Sequence, residues 1–288
     1  MLSHGVIVVM RLLARLPLSW LRAIGWALGM LLYGLLAGRR AVAMTNLALC
    51  FPERSVQERR ALVRKIFVHF TQAWLDRGWL WSGPPARTLQ RLKLTGDVAQ
   101  LQGDAPTVLF VPHFVGLDAG ATALSQQVPR QFSTLFAPQS NVVMDAWIAE
   151  GRERFGNAEL FDRGGPMKPI VALVKAGNPL YLLPDMDFGA KDAFFVPFFG
   201  IPAATVPSLP RFARLGRAKV VPVLTRMTPQ GYEVQILPAW TDYPTNDVEA
   251  DTALMNQRLQ DYILRMPEQY FWVHKRFKTR PEGQAEVY

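Results

Sequence analysis

The sequence predicts an α/β fold in which a mostly parallel central sheet is flanked by helices and an N-terminal apolar helix precedes it. Short apolar strands alternate with helical segments, as expected for a sheet covered on both faces. Polar residues with catalytic chemistry directly follow two of these strands, where ligand sites of such sheets lie. The first 38 residues contain no acidic residue and are rich in apolar ones.

The N-terminal segment has the composition of a membrane-associating helix. Residues 23–38 carry no charge, but 16 residues reach only about 24 Å as a helix, less than a bilayer core. Arg11, Arg15 and Arg22 would share one face of a continuous helix, unless Pro17, which lacks a backbone donor, interrupts it. The pattern predicts an interfacial amphipathic helix or a short anchor with arginines at the headgroups. A buried core helix is the alternative.

Local signals then predict the elements in order. Ser55 and Glu58 form a capping box that opens a helix ending near Trp79. Another helix is expected to begin near Thr245 or Asp247. The remaining predictions are strands at 107–111, 132–136, 179–183, 218–224 and 232–237, and helices at 144–155 and 248–265.

Composition excludes several classes of protein. A single cysteine, Cys50, excludes a disulfide framework and a cysteine-rich zinc module, and four histidines leave little material for a metal site. The formal charge of +9 favours an anionic partner such as nucleic acid, a phosphorylated ligand or an anionic membrane. Nucleic acid is disfavoured because the basic residues accompany apolar helices. Seven basic residues between 39 and 65 indicate that the body lies on the cytoplasmic side of the membrane.

His113 and Asp118 form a His-x4-Asp pattern at a predicted strand-to-helix turn. We expect the carboxylate of Asp118 to fold back onto the imidazole, fix its tautomer and make it a general base for a hydroxyl. The pattern by itself is a weak signal, because acidic residues are common enough for chance matches.

Four segments together resemble one protein family. They are NLALCFPE from Asn46, HFVGLD from His113, LPDMDFGAKDAFFVPFFGIPAAT from Leu183 and YFWVHKRFKTRP from Tyr270. In this order and spacing they resemble the bacterial lipid A biosynthesis (lauroyl/myristoyl) acyltransferases of the lysophospholipid acyltransferase superfamily. The resemblance implies a glycerolphosphate-acyltransferase-like fold, with residues 1–38 as the membrane-associating segment and residues 39–288 as the acyltransferase domain.

The resemblance also implies the reaction. An acyl chain would pass from a thioester, on acyl carrier protein or coenzyme A, to a hydroxyl of a lipid A precursor or related phosphorylated lipid. No cofactor, metal or acyl-enzyme is implied, and the location would be the cytoplasmic face of the inner membrane. His113 and Asp118 would be catalytic. The implied substrate-binding residues are Arg163, Lys168, Asp185, Asp187, Gly189, Lys191, Thr205 and Arg276.

Some of these residues have a specific expectation. The chain departs from the family pattern at Lys168, where arginine is frequent, and at Met186, where glutamine is usual. We expect the carboxylates of Asp185 and Asp187 to hold an arginine or loop backbone, and Thr205 to cap the following helix.

Two other functions are compatible with the residues alone. The Asp185-x-Asp187 spacing could hold a divalent cation in a metal-dependent glycosyltransferase, which EDTA would inactivate. A non-catalytic membrane-binding protein of the same fold is the second alternative, and its function would survive replacement of His113.

Overall fold

A computed structural model describes residues 2–288; Met1, the first residue of the predicted membrane-associating segment, lies outside the described residues. The helices in this range are α1 (Leu2–Leu13), α2 (Leu18–Leu35), α3 (Ala37–Cys50), α4 (Val56–Ser82), α5 (Pro85–Arg91), α6 (Leu117–Gln127), α7 (Val142–Arg152), α8 (Met167–Lys175), α9 (Ser208–Gly216) and α10 (Val248–Arg265). The strands are β1 (Leu92–Gly96), β2 (Thr107–Phe110), β3 (Phe132–Phe136), β4 (Ala158–Asp162), β5 (Leu180–Leu182), β6 (Phe194–Phe198), β7 (Ile201–Thr205), β8 (Lys219–Thr228) and β9 (Gly231–Ile236).

Seven strands form the central sheet in the order β1-β9-β8-β2-β5-β3-β4, and β6 and β7 form a separate hairpin. All neighbouring pairs of the central sheet are parallel except β8 and β9, which are antiparallel. The predicted α/β class and mostly parallel sheet are therefore confirmed.

The hydrophobic core lies on both faces of the sheet, and alternate residues of each strand contribute to opposite halves of it. In β2, Val108 and Phe110 pack into one hydrophobic cluster, whereas Leu109 packs into the other. In β5, Leu180 and Tyr181 divide in the same way. Alternate side chains of a strand point to opposite faces, so continuous apolar runs are required where helices cover both.

The starts of α4 and α10, which were predicted from capping residues, are confirmed. Ser55 and Glu58 make the capping box of α4, and the Asp247 side chain caps α10. Pro17 separates α1 from α2, as its missing backbone donor allowed, so Arg22 lies on a different helix from Arg11 and the shared face of a continuous helix does not form. The sequence did not predict β1, β4 or the hairpin of β6 and β7.

The N-terminal helices pack on the α/β body and also expose side chains to solvent. α1 contacts α4 and α7, and α2 contacts α4 along its length. α2 is also the one described helix that is long and apolar enough to cross a membrane, with 22% of its 18-residue window buried. By itself this is weak support for a membrane span, since buried core helices meet the same criterion.

Candidate active site

A cavity of about 580 Å³ opens at the carboxyl ends of the parallel strands. His113 follows β2 and Arg163 follows β4, and both line this cavity. Leu183, directly after β5, lines it too. Loops at this edge of a parallel sheet meet one another, because all the strands end there.

The register of two neighbouring strands brings His113 and Asp185 together. Phe110 of β2 pairs with Leu182 of β5, and His113 and Asp185 each lie three residues beyond their paired position. The Nδ1 atom of His113 lies 2.7 Å from Oδ1 of Asp185, and the backbone N–H of His113 donates to Oδ2 at 3.0 Å. Asp185 is fully buried, whereas the imidazole retains 22% of its side-chain exposure.

The carboxyl-terminal segment fixes this pair from the other side. The Tyr270 hydroxyl donates to Oδ2 of Asp185 at 3.0 Å, and the Phe271 N–H donates to the carbonyl of His113 at 3.0 Å. Burial acts to raise the pKa of Asp185, but the charge and hydrogen bonds of His113 and the Tyr270 hydroxyl outweigh it, and the pKa is lowered. Asp185 is therefore held as a carboxylate beside the ring.

Asp118 does not contact His113 in this way, which corrects the pairing expected from the sequence. Its Oδ1 accepts from Nε and Nη2 of Arg152 at 3.1 and 3.0 Å, and its Oδ2 accepts from Arg77 at 2.8 Å. Asp118 occupies the first turn of α6, which directs its side chain towards α4 and α7 instead of back along the loop. Burial would raise the pKa of Asp118, but the two guanidinium groups outweigh it and lower the pKa.

The cavity has a cationic part and an apolar part. Four arginines line it, whereas Asp118 is the one acidic lining residue in the described chain. An excess of fixed positive charge in a partly enclosed space favours an anionic ligand. The apolar lining includes Leu117, Leu124, Phe132, Leu135, Leu160, Ile170 and Leu182.

Three predicted cations have different positions. Arg163 is exposed and lies over the ring of Phe188 at 4.5 Å from its centroid, and both residues line the cavity. Lys168, in the first turn of α8, and Lys191, in the loop before β6, are exposed and are not among the lining residues. The structure thus brings only the first of them to the cavity.

Asp187 and Gly189 build the loop behind the site. The buried carboxylate of Asp187 accepts from the N–H groups of Gly189 and Thr279, each at 2.9 Å, and from the Thr279 hydroxyl. Gly189 has a φ of +100°, a backbone conformation that is strained for residues with a side chain and is accessible to glycine. Asp187 therefore holds loop backbone, as predicted. Asp185 also accepts a loop backbone N–H, that of His113, but its contact with the imidazole was not predicted.

Thr205 and Arg276 lie in the core, away from the lining of the cavity. The buried Arg276 guanidinium donates to the Ala204 carbonyl and the Thr205 hydroxyl, each at 2.8 Å. α9 begins at Ser208 after Pro207, with no side-chain cap, so the predicted capping role of Thr205 is wrong. Because both polar side chains are used within the core, their predicted contact with substrate is not supported by their positions.

Sequence reasoning missed Arg77, Arg152 and Tyr270 as residues of the site. Tyr270 belongs to a segment that carried the family resemblance, so a signal for it was present. Neither Arg77, in α4, nor Arg152, in α7, lies in a recognisable motif. Only the packing of these helices beside α6 shows what they contact.

Comparison with known proteins decides the family. A sequence model described as "Bacterial lipid A biosynthesis acyltransferase" matches residues 2–279. The chain belongs to this family. It is accordingly an acyltransferase, and the resemblance inferred from the four segments is confirmed.

Three curated relatives of this lipid A acyltransferase family come from Escherichia coli K12. The chain is 33% identical over 286 residues to a lipid A biosynthesis lauroyltransferase. This alignment covers 97% of the chain and 92% of the relative. It is 31% identical over 287 residues to a palmitoleoyltransferase, with the same coverage. It is 32% identical over 265 residues to a myristoyltransferase, in an alignment that covers 88% of the chain and 81% of the relative.

Proposed function

We propose that this chain transfers a fatty acyl group from an acyl thioester to a hydroxyl of a phosphorylated lipid A precursor, with His113 as the general base. The observation that carries this proposal is the contact of His113 with the buried Asp185 carboxylate at the wall of a cavity that is both apolar and cationic. Membership of the lipid A acyltransferase family supports the acceptor class.

The geometry supports a base at one defined atom. A carboxylate beside Nδ1 stabilises the tautomer that carries its proton there, so Nε2 is left with a free electron pair. His113 also lines the cavity, which gives a hydroxyl access to the ring. Asp185 thus takes the orienting role that the sequence suggested for Asp118.

The reaction needs no covalent enzyme intermediate. Nε2 of His113 takes the proton of the acceptor hydroxyl while the oxygen attacks the thioester carbonyl carbon. The carbon–sulfur bond then breaks, the ester remains on the acceptor, and the leaving thiolate takes the proton from the imidazolium. The imidazole is neutral again, and atoms and charge balance.

Asp118 is proposed to act as a positioning residue for two arginines. Arg77 and Arg152 share its one carboxylate, so the cluster keeps an excess positive charge at the cavity wall. Arg163 and Arg211 also line the cavity. These four cations would bind the phosphate groups of the acceptor, since arginine presents paired donors to phosphate oxygens.

The donor and the location are further parts of the proposal. The apolar lining is suited to an acyl chain, and either acyl carrier protein or coenzyme A could deliver it as a thioester. Family membership and the apolar N-terminal helices support association with a membrane. We propose the cytoplasmic face of the inner membrane, with residues 1–38 as the membrane-associating part and residues 39–288 as the catalytic part.

The glycosyltransferase alternative loses its structural basis. The oxygens of Asp185 accept from His113 and Tyr270, whereas those of Asp187 accept from Gly189 and Thr279. The two carboxylates therefore serve separate hydrogen-bond networks.

The direct test supplies purified protein with a panel of acyl carrier protein and coenzyme A thioesters and a lipid A precursor, and follows the lipid products by mass spectrometry. We expect the acceptor to gain one acyl chain, and His113→Ala to lower turnover at least about 100-fold. His4→Ala, at an exposed histidine outside the cavity, is the matched control. Near-normal turnover by folded His113→Ala would overturn the proposed mechanism.

A further inference from the structure

α1 and α2 both expose large apolar side chains on their outer surfaces. In α2, every exposed side chain is uncharged, whereas the buried positions Leu21, Gly25 and Gly29 face the body. Exposed apolar residues on one surface indicate an interaction site when they are contiguous. The exposed large residues and their exposed fractions are Val8 54%, Val9 52%, Leu12 54%, Trp20 64%, Trp26 59%, Leu28 39%, Leu31 55% and Leu35 67%.

The opposite side of α2 is fixed to α4 by close packing and an ion pair. A Cβ atom at Gly25 would lie 2.5 Å from Cγ of Gln72, and one at Gly29 would lie 2.6 Å from Cα of Val68. Arg22 Nη1 lies 2.5 Å from Oδ2 of the fully buried Asp76. As the residue number rises in α2, that of its partner in α4 falls, so the two helices are antiparallel and adjacent.

This packing is incompatible with a membrane span by α2. The guanidinium of Arg64, an exposed residue of α4, lies over the ring of Tyr33 in α2, 5.6 Å from its centroid. If α2 crossed the bilayer, α4 would have to accompany it, and Arg64 and the exposed Lys65 would enter the hydrocarbon. Charged side chains that face lipid hydrocarbon are costly and rare in membrane-spanning helices. α1 before α2 and α3 after it also pack against the same α4.

A basic pocket borders the apolar surface. Arg11 and Arg15 from the α1 end line a concavity of about 560 Å³ with Arg87 of α5, and no acidic residue lines it among the described residues. Arg11 is the neighbour of the exposed Leu12 in the chain. Apolar side chains next to arginines match the boundary between acyl chains and anionic headgroups, where the guanidinium binds phosphate.

We propose that α1 and α2 lie in the plane of an anionic phospholipid bilayer, with their apolar faces immersed and the Arg11, Arg15 and Arg87 pocket bound to headgroup phosphate. The chain then docks on one leaflet and does not cross the membrane. This inference rests on the membrane location in the proposed function and specifies how that location is achieved.

The first experiment tests topology by labelling. His4→Cys and Glu286→Cys are each placed in a Cys50→Ala background, and inverted inner-membrane vesicles and intact spheroplasts are treated with a membrane-impermeant maleimide. His4 lies two helical turns before Arg11, on the headgroup border of α1, where the reagent has access from water. Both original side chains are exposed, and the native Cys50 is buried. We expect both positions to react from the same side of the membrane. Reaction of the two positions from opposite sides would overturn in-plane docking.

The second experiment tests the apolar face by vesicle co-sedimentation. Trp20→Ser combined with Trp26→Ser should weaken binding to phosphatidylglycerol-containing vesicles at least about tenfold, because two aromatic side chains leave the interface. Leu215→Ser combined with Leu264→Ser is the matched control, since these residues are 50% and 54% exposed on α9 and α10. Equal binding by both double variants would contradict the proposed face.

The third experiment tests the basic pocket. Arg11→Gln with Arg15→Gln should weaken binding to phosphatidylglycerol vesicles about tenfold or more and leave the weaker binding to phosphatidylcholine vesicles nearly unchanged. Arg214→Gln with Arg217→Gln, exposed on and after α9, is the control. Unchanged binding to the anionic vesicles would overturn the headgroup assignment.

Turnover separates this inference from the proposed function. The Trp and Arg variants should retain wild-type turnover on a detergent-dispersed acceptor, because none of these side chains lines the cavity. If the wild-type chain failed to acylate that acceptor, the proposed function would fail, whereas the labelling and vesicle results would still decide the mode of docking.

Discussion

Two buried carboxylates beside the same cavity have taken different partners. Asp185 faces one imidazole and one hydroxyl, whereas Asp118 faces two guanidinium groups. Both have lowered pKa values despite burial, but for different reasons. A carboxylate that meets a titratable ring can tune a base, and one enclosed by permanent cations can only hold them in place. Proximity in sequence to a histidine therefore does not identify the carboxylate that the histidine contacts.

The largest expected effect breaks the imidazole–carboxylate pair. Asp185→Asn should lower kcat about 10²–10⁴-fold, because the amide no longer favours the tautomer with a free Nε2 or stabilises the imidazolium. The measurement is steady-state kinetics across pH, in which the pH profile of kcat should change. Asp261→Asn, at an exposed position of α10, serves as the control. An unchanged kcat and pH profile would remove Asp185 from the mechanism.

Asp118→Asn tests whether the second carboxylate positions arginines and has no direct role in proton transfer. Its replacement leaves Arg77 and Arg152 without their counter-charge, so we expect KM for the phosphorylated acceptor to rise and the pH profile of kcat to keep its shape. We also expect a loss of about 2–4 kcal/mol in the free energy of unfolding at neutral pH, since the carboxylate is buried and the arginines are partly exposed. Denaturant titration measures the loss; a changed kcat profile with unchanged KM would contradict the positioning role.

The Asp118 cluster also predicts a pH dependence of stability. Its pKa is lower in the folded chain than in the unfolded one, so its contribution is fully present above the unfolded pKa of about 3.9 and is lost as pH falls through the folded value. The stability difference between the wild type and Asp118→Asn should therefore shrink below about pH 4. A difference that stayed constant over that range would show that charge is not its source.

The smallest expected effect concerns His274, which lines the cavity and accepts from the backbone N–H of Asp187 at 3.2 Å. Burial, together with Lys278 and Arg276, lowers its pKa to about 4. Between that value and about 6.5 the unfolded chain binds the extra proton, so wild-type stability falls as pH decreases across this window. His274→Gln should reduce the decrease by roughly 1 kcal/mol, as measured by thermal unfolding. Parallel curves for the two proteins would contradict this.

The comparison also indicates how far the site could be predicted. The sequence placed both His113 and Asp185 at strand ends, because both follow recognisable apolar strands, and the family resemblance included Asp185 among the site residues. It assigned Asp185 to substrate and Asp118 to the imidazole, since only the second is close to His113 in the chain. Long-range partners such as Arg77 and Arg152 carry no local pattern, so single-chain reasoning had no means to find them.

By itself, the sequence determined the α/β class, the capping of α4, the apolar N-terminal helices and the position of His113 at a strand end, because each depends on local periodicity or end signals. Tertiary structure decided which carboxylate contacts the imidazole of His113. The pairing of Phe110 with Leu182 aligns the two loops, while the first turn of α6 directs Asp118 elsewhere. It also decided that α2 lies against α4, since the charges beside a helix depend on what packs there.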